Sequence, residues 1–108
     1  MYVKLGKDTW VVSASGTNAT ATAVKGADAR GRCHYIVAVL ASFSAAATKL
    51  LQIKDGGNVI AEYYIHNADT ITFPIPLKLS PGSAVSAVLA ASGTSGVLGK
   101  VVLVGYTD

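Results

Sequence analysis

The sequence predicts an all-β domain, an antiparallel sandwich or barrel of about eight to nine strands. Short segments rich in β-branched and aromatic residues follow one another, whereas the apolar spacing of a helix is nearly absent. Turn residues such as Gly, Pro, Asn and Asp separate these segments. A chain of 108 residues fits one domain. We assign residues 1–108 to a single domain in which residues 1–30 form an extended N-terminal arm and the first strands.

The clearest element is a hairpin with arms at residues 49–54 and 59–66. The Asp-Gly-Gly-Asn link at 55–58 supplies residues that tolerate positive φ, as a tight hairpin turn requires. We expect Gly57 to need such a φ, so Gly57→Val should destabilise the fold. Because side chains alternate between the faces of a strand, the apolar set of the second arm is predicted to face the core. That set is Val59, Ala61, Tyr63 and Ile65.

Seven further strands are predicted along the chain. Pro74 and Pro76 cannot donate hydrogen bonds to a ladder, so residues 73–77 belong to an edge or a bend. The sequence Ser-Pro-Gly-Ser at 80–83 has Pro second and Gly third, as in a type II turn. The remaining strands are placed near residues 10–14, 20–25, 34–44, 70–73, 77–79, 84–91 and 100–106.

The composition favours assembly with other protein subunits. Charged residues make up 14% of the chain, against about 25% in an average protein. The nine Lys and Arg are scattered rather than clustered, which argues against nucleic acid as a partner. The richest apolar stretch, residues 35–47, is interrupted by serines and is too short to span a membrane. The first residues have no apolar run of signal-peptide length, so we expect synthesis without secretion.

No pattern in the sequence predicts catalysis, so we expect a protein that is not an enzyme. Cys33 and His34 are neighbours, and neighbours in a strand point to opposite faces, so they cannot pair as nucleophile and base. Glu62 would need Asp55 or Asp69 to form a catalytic carboxylate pair, and both aspartates lie in turn segments. Two His and one Cys are too few for a metal centre. We predict no catalytic residue, cofactor or metal.

Two apolar faces on single strands predict a homo-oligomer. Residues 35–41 and 101–104 are apolar or small on both faces, although a sandwich strand needs only one apolar face. A neighbouring subunit is the simplest cover for the second face. Tyr63 and Tyr64 also point in opposite directions, so one of them is free for a partner or a sugar, or is simply half exposed. The candidate interface residues are Tyr35, Val37, Val39, Tyr64, Val102 and Val104.

Several segments resemble small β-rich virion structural proteins of tailed bacteriophages, among them the jelly-roll capsid decoration, or cement, proteins. The resemblance begins at Arg32, and the first thirty residues lie outside it. The segments that carry it are Cys33-His-Tyr-Ile-Val, Ala41-Ser-Phe-Ser-Ala, Lys49-Leu-Leu-Gln-Ile-Lys-Asp-Gly, Asp69-Thr-Ile-Thr-Phe-Pro, Ala84-Val-Ser-Ala-Val-Leu-Ala-Ala-Ser-Gly-Thr-Ser-Gly and Gly105-Tyr-Thr.

The resemblance implies a jelly-roll-like sandwich that decorates the phage head. Such a protein is made in the host cytoplasm, binds the major capsid protein on the capsid surface and is often a trimer. The resemblance carries no catalytic residue. Two other functions remain open, namely a tail or fibre component that contacts the host and a carbohydrate-binding β-sandwich module that uses Tyr64.

Overall fold

The computed structural model describes residues 8–108, which form eight strands in two four-stranded sheets. Sheet I has the strand order β1-β8-β3-β6, sheet II has the order β2-β7-β4-β5, and all neighbouring strands are antiparallel. The strands are β1 (Asp8–Thr17), β2 (Ala21–Lys25), β3 (His34–Phe43), β4 (Thr48–Asp55), β5 (Asn58–His66), β6 (Ala68–Lys78), β7 (Val85–Leu89) and β8 (Leu98–Thr107).

The strand pairs are nested around the β4–β5 hairpin. β4 pairs with β5, and outside this pair β3 joins β6, β2 joins β7 and β1 joins β8. The chain is therefore one long double hairpin rolled into a sandwich, which is the topology of an eight-stranded jelly roll. This order confirms the predicted jelly-roll-like antiparallel sandwich.

The turn at the tip of the hairpin differs from the prediction in one residue. Asp55 lies opposite Asn58, so the loop contains two residues. Gly56 has φ of +60°, whereas Gly57 is outside the left-handed region. A positive φ at the first loop position is typical of a type II′ turn. The prediction that Gly57 needs a positive φ was therefore wrong. The residue that needs it is Gly56.

Two predicted strands are one strand in the structure. β6 continues through Pro74 and Pro76, and it lies at the edge of sheet I, as these prolines predicted. The missing proline N–H groups cost little there because one side of an edge strand has no partner strand. The type II turn at 80–83 is confirmed by φ of +67° at Gly82 and by a 3.2 Å hydrogen bond from Ser83 N to Ser80 O.

The first strands lie in the N-terminal part of the chain, where the sequence placed them. β1 and β2 belong to sheets I and II respectively. The predicted extended arm includes residues 1–7, which lie outside the described residues.

A bulge at Val37 changes which side chains of β3 face the core. Ile36 lies opposite Gly105 and Ala38 lies opposite Val104, so Val37 is an extra residue on β3. The insertion shifts the alternation by one residue, because each extra residue reverses the facing of those that follow. Val39 consequently points inward and is 0% exposed. Its assignment to an intermolecular interface was wrong.

A second bulge near the hairpin tip has a similar effect in β5. Ile53 lies opposite Ala61 and Lys54 lies opposite Val59, which leaves one residue of β5 unmatched. Val59 is exposed, whereas the other apolar residues of its predicted set belong to the core or pack against it. The largest fully buried apolar side chains are Ile36, Leu51, Ile53, Ile65, Leu79, Leu89 and Leu103.

Candidate interaction surface

Cys33 and His34 do not form a reactive pair. His34 is 1% exposed, and both of its ring nitrogens have partners. Nε2 is 2.7 Å from the carbonyl oxygen of Gly26, which can only accept, so Nε2 carries the proton. Nδ1 then accepts from the Thr107 hydroxyl at 2.7 Å, and that hydroxyl accepts from Trp10 Nε1 at 3.0 Å. These bonds satisfy the buried imidazole, which therefore has a structural role.

The carboxylates considered for catalysis also have structural partners. Glu62 accepts a 3.1 Å hydrogen bond from the side chain of Gln52 on sheet II. Asp69 accepts from the backbone N–H of His66 at 2.8 Å. Asp55 accepts from the backbone N–H and the hydroxyl of Ser80, at 3.1 and 2.7 Å. Each carboxylate thus stabilises a turn or a strand pair.

Asp55 connects the β4–β5 hairpin to the turn before β7. The Ser83 hydroxyl and the two donors of Ser80 hold the pKa of Asp55 below its ordinary value. The Ser83 hydroxyl makes a long 3.3 Å bond to the carbonyl of Ala84. Oδ1 of Asp55 is buried without a hydrogen-bond partner.

The described residues contain no metal-binding group or membrane-spanning helix. Between residues 8 and 108, no three His, Cys, Asp or Glu side chains are grouped so as to hold a metal ion. No helix in the same part of the chain is long and apolar enough to cross a membrane.

The outer surface of sheet I carries an apolar face. Val11 lies opposite Val104, and Val102 lies opposite Leu40, so their side chains form adjacent rows across the strands. Val11 is 64% exposed, and the other members are exposed or half-buried. We define the apolar face as Val11, Val37, Leu40, Val102 and Val104.

Aromatic and basic residues border the apolar face. At one end the rings of Tyr35 and Tyr106 stack with centroids 4.8 Å apart. The ammonium group of Lys78 lies 6.0 Å from the centre of the Tyr35 ring. At the other end Lys100 lies between Ser15 and Ser42 in the register. Of the residues that border the apolar face at these two ends, Lys78 and Lys100 are the charged ones.

Three shallow grooves run over this outer surface. The groove of about 460 Å³ is lined by the apolar face near Trp10 and Tyr106. Two others, of about 310 and 350 Å³, flank Lys100 on either side of β8. All three grooves are open to the outside and lie over the strands of sheet I.

Four of the predicted interface residues come together on sheet I, whereas Tyr64 does not. Tyr35, Val37, Val102 and Val104 share its outer surface. Tyr64 lies on the outer surface of sheet II, where it is 69% exposed and opposite Leu50. Tyr63 packs against the core, as its alternation with Tyr64 predicted.

Two members of the apolar face were missed by the sequence analysis. Regular alternation would put Leu40 on the same face as Ile36, and only the bulge at Val37 turns it outward. Val11 was included in the first strand without being assigned to an interface. The available signal was the alternation of side chains along the strand. Val11 points to the other face from Trp10 and Val12, so a branched apolar side chain lies on the face away from the large aromatic one.

An ion cluster attaches the β2–β3 loop to the start of β1. Arg32 donates to Asp28 Oδ1 at 3.1 Å and to Asp8 Oδ2 at 2.7 Å. Asp28 Oδ2 also accepts from the backbone N–H groups of Arg30 and Arg32. The side-chain hydrogen bonds from Arg32 are the main cause that lowers the pKa of Asp28 well below its ordinary value. The same bonds, chiefly that with Asp28, raise the pKa of Arg32.

No protein-family model and no curated protein sequence matches the chain. Among solved structures, it is similar to a carbohydrate-binding module, CBM36, in complex with calcium and xylotriose. The TM-score is 0.45 and the identity 12%, over 89% of this chain and 76% of that one.

A virus-like particle of the extra small virus of the giant freshwater prawn Macrobrachium rosenbergii is also similar. Here the TM-score is 0.40 and the identity 14%, over 100% of this chain and 83% of that one. Both likenesses are distant, and the jelly-roll assignment follows from the strand order.

Proposed function

We propose that this chain is a non-enzymatic structural protein of a bacteriophage virion, a head decoration protein that binds and stabilises the assembled capsid. The observation that carries the proposal is the apolar face of sheet I. Val11 is 64% exposed there, beside half-buried Val102 and Val104. An exposed group of branched apolar side chains on a sheet indicates a surface that is covered in the working protein. The location we propose is the outer surface of the capsid.

The size of the face supports a multivalent structural role. The face spans three strands at about 4.8 Å and about four residue steps at about 3.3 Å, which give an area of about 190 Å². A stable interface of standard size buries about 800 Å² per partner. One apolar face therefore needs additional contacts, and a homo-oligomer on a repetitive shell provides them through avidity. The trimer implied by the family resemblance is our proposal for the stoichiometry.

The stabilising effect follows from selective binding. A protein that binds the assembled shell and not the free subunits shifts the equilibrium toward the shell by mass action.

Binding to purified phage particles tests the proposal directly. We expect the labelled protein to co-sediment with mature capsids, to saturate at a fixed number per capsid, and to leave unassembled capsid subunits unbound. Cryo-microscopy of decorated particles should place it on the head. Density on the tail alone would instead assign it to the tail or fibre component that contacts the host.

The exposed Tyr64 favours a second candidate function, a carbohydrate-binding module. An aromatic side chain on the open face of a sheet can stack on a sugar ring. A glycan array tests this, with Tyr64→Ala as the variant and Tyr63→Phe, on the core side of the same strand, as the control. Binding that only Tyr64→Ala abolishes would favour the carbohydrate function, whereas an array without signal would exclude it for the glycans present.

A further inference from the structure

Four strands lie at sheet edges in the described part of the chain, and three of them carry features that prevent pairing. In sheet II, β2 has only five residues, and β5 carries a bulge and the charged Glu62. In sheet I, β6 contains Pro74 and Pro76 and an irregular register. Short length, bulges, charges and prolines are the features by which natural proteins protect sheet edges from pairing with other chains.

β1, at the other edge of sheet I, has none of these features. It runs for ten residues, Asp8–Thr17, and pairs with β8 in an unbroken register. It contains no proline, and its only charged residue is Asp8 at its first position. Among the described strands it pairs with β8 alone, so one side of its backbone is available for a further strand.

We propose that β1 pairs with β1 of a second copy of this chain, antiparallel and about a twofold axis, so that two sheets I become one continuous eight-stranded sheet. The other three edges of the described sheets carry features that prevent pairing. The edge of a second copy that remains for β1 is therefore that copy's own β1. An edge contact between copies must therefore join identical strands, which requires twofold symmetry.

The sequence of β1 is compatible with pairing to itself. In antiparallel pairs, residues directly opposite each other share a face, so a register centred on Val12 places Val11 opposite Ser13 of the second copy. The same register places Trp10 opposite Ala14, a large side chain beside a small one. Asp8 then lies opposite Gly16, so no like charges meet. A register centred on Ser13 preserves the faces equally well.

Pairing would also cover the open side of the sandwich. The inward side chains of β1, including Trp10 and Val12, are only half-buried, whereas Val101 and Leu103 on the adjacent β8 are 0% exposed. A strand added beside β1 gives these side chains a neighbour on their open side. It also joins the two apolar faces into one larger surface.

The inference is independent of the decoration role, which concerns what the apolar face binds. A twofold contact gives a dimer, and combined with the proposed trimer it gives a hexamer. The expected mass is therefore an even multiple of the 11.0 kDa chain.

The test combines light scattering after size-exclusion chromatography with amide hydrogen exchange. The variant is Val11→Lys with Ser13→Lys, which places lysines opposite lysines and gives β1 the protection typical of a natural edge. Both side chains are exposed, so the monomer fold should be retained. The matched control, Val24→Lys with Thr22→Lys, makes the same kind of change on exposed positions of β2.

We expect an even number of chains for the wild type and the control. The β1 variant should associate only at a protein concentration about tenfold or more above that needed by the wild type. The β1 amides that do not bond to β8 point to the open edge, and in the wild type these should become protected as concentration rises. A monomer or a trimer at the highest concentration at which the protein stays in solution would overturn the inference.

Other outcomes also contradict the pairing. An unchanged mass for the β1 variant would place the self-contact elsewhere. Protection of the edge-facing β1 amides in a monomer would mean that the chain itself, and not a second copy, covers this edge. Capsid binding is measured separately, so failure of the twofold contact and failure of the decoration role give different results.

Discussion

At the hairpin tip, Gly56 and Gly57 are adjacent residues with different conformational requirements. Gly56 has φ of +60°, which a β-branched residue adopts only with strain, whereas Gly57 has no such φ and open space around its α-carbon. We expect Gly56→Val to lower the free energy of unfolding by about 1–3 kcal/mol. Gly57→Val should change it by less than about 0.5 kcal/mol, as for an ordinary surface site. Urea denaturation measures both, and equal losses would show that the turn is not of type II′.

At the scale of elements, the ion cluster of the β2–β3 loop should make stability depend on pH. Because Arg32 lowers the pKa of Asp28, the folded protein keeps this carboxylate ionised more strongly than the unfolded chain does. The resulting stability is present above the unfolded pKa of about 3.9 and is lost as pH falls below it. We expect the melting temperature of Asp28→Asn to fall less steeply than that of the wild type below pH 4.

Glu62→Gln serves as the control for this measurement. It removes a carboxylate from sheet II, away from the cluster, and should leave the acid-dependent loss attributed to Asp28 in place. Some pH dependence will remain in Asp28→Asn, because the pKa of Asp55 is lowered as well. If the melting temperature of Asp28→Asn falls below pH 4 as steeply as that of the wild type, the role of the ion cluster is contradicted.

For the whole molecule, the apolar face should decide whether the protein binds the shell. Val104→Lys introduces a charge at the centre of the face, and burial of an unpaired charge is costly. We expect affinity for capsids to fall by about tenfold or more, with an unchanged melting temperature. Val88→Lys, at a half-buried outer position of sheet II, is the matched control. Equal losses in both variants, measured by co-sedimentation, would count against the apolar face as the contact surface.

Local features of the chain were sufficient to predict most strands and turns. Alternation in residues 59–66 correctly separated Tyr63 from Tyr64, and the prolines of β6 correctly indicated a sheet edge. The outward facing of Val102 and Val104 followed from the same alternation, because β8 has no bulge in its pairing with β1. These successes concern residues whose facing depends only on neighbours along one strand.

Pairing between distant strands changed the rest. The register of β3 shifts at Val37 in its pairing with β8 and in its pairing with β6, and neither shift is visible along β3 itself. The bulge moved Val39 into the core and turned Leu40 outward. Likewise, the choice between the two glycines of the hairpin depended on the two-residue loop that the register of β4 and β5 imposes.

The sequence by itself determined that this protein is an all-β chain with apolar residues on both faces of its central strands. Side-chain alternation and turn chemistry act over a few residues, so they can be recognised without coordinates. The tertiary structure alone decided that Val11, Val37, Leu40, Val102 and Val104 form one surface and that, among the strands of residues 8–108, β1 is the edge strand without protecting features. Both properties arise from hydrogen bonds between strands far apart in the chain, such as β1 and β8, whose pairing no local pattern specifies.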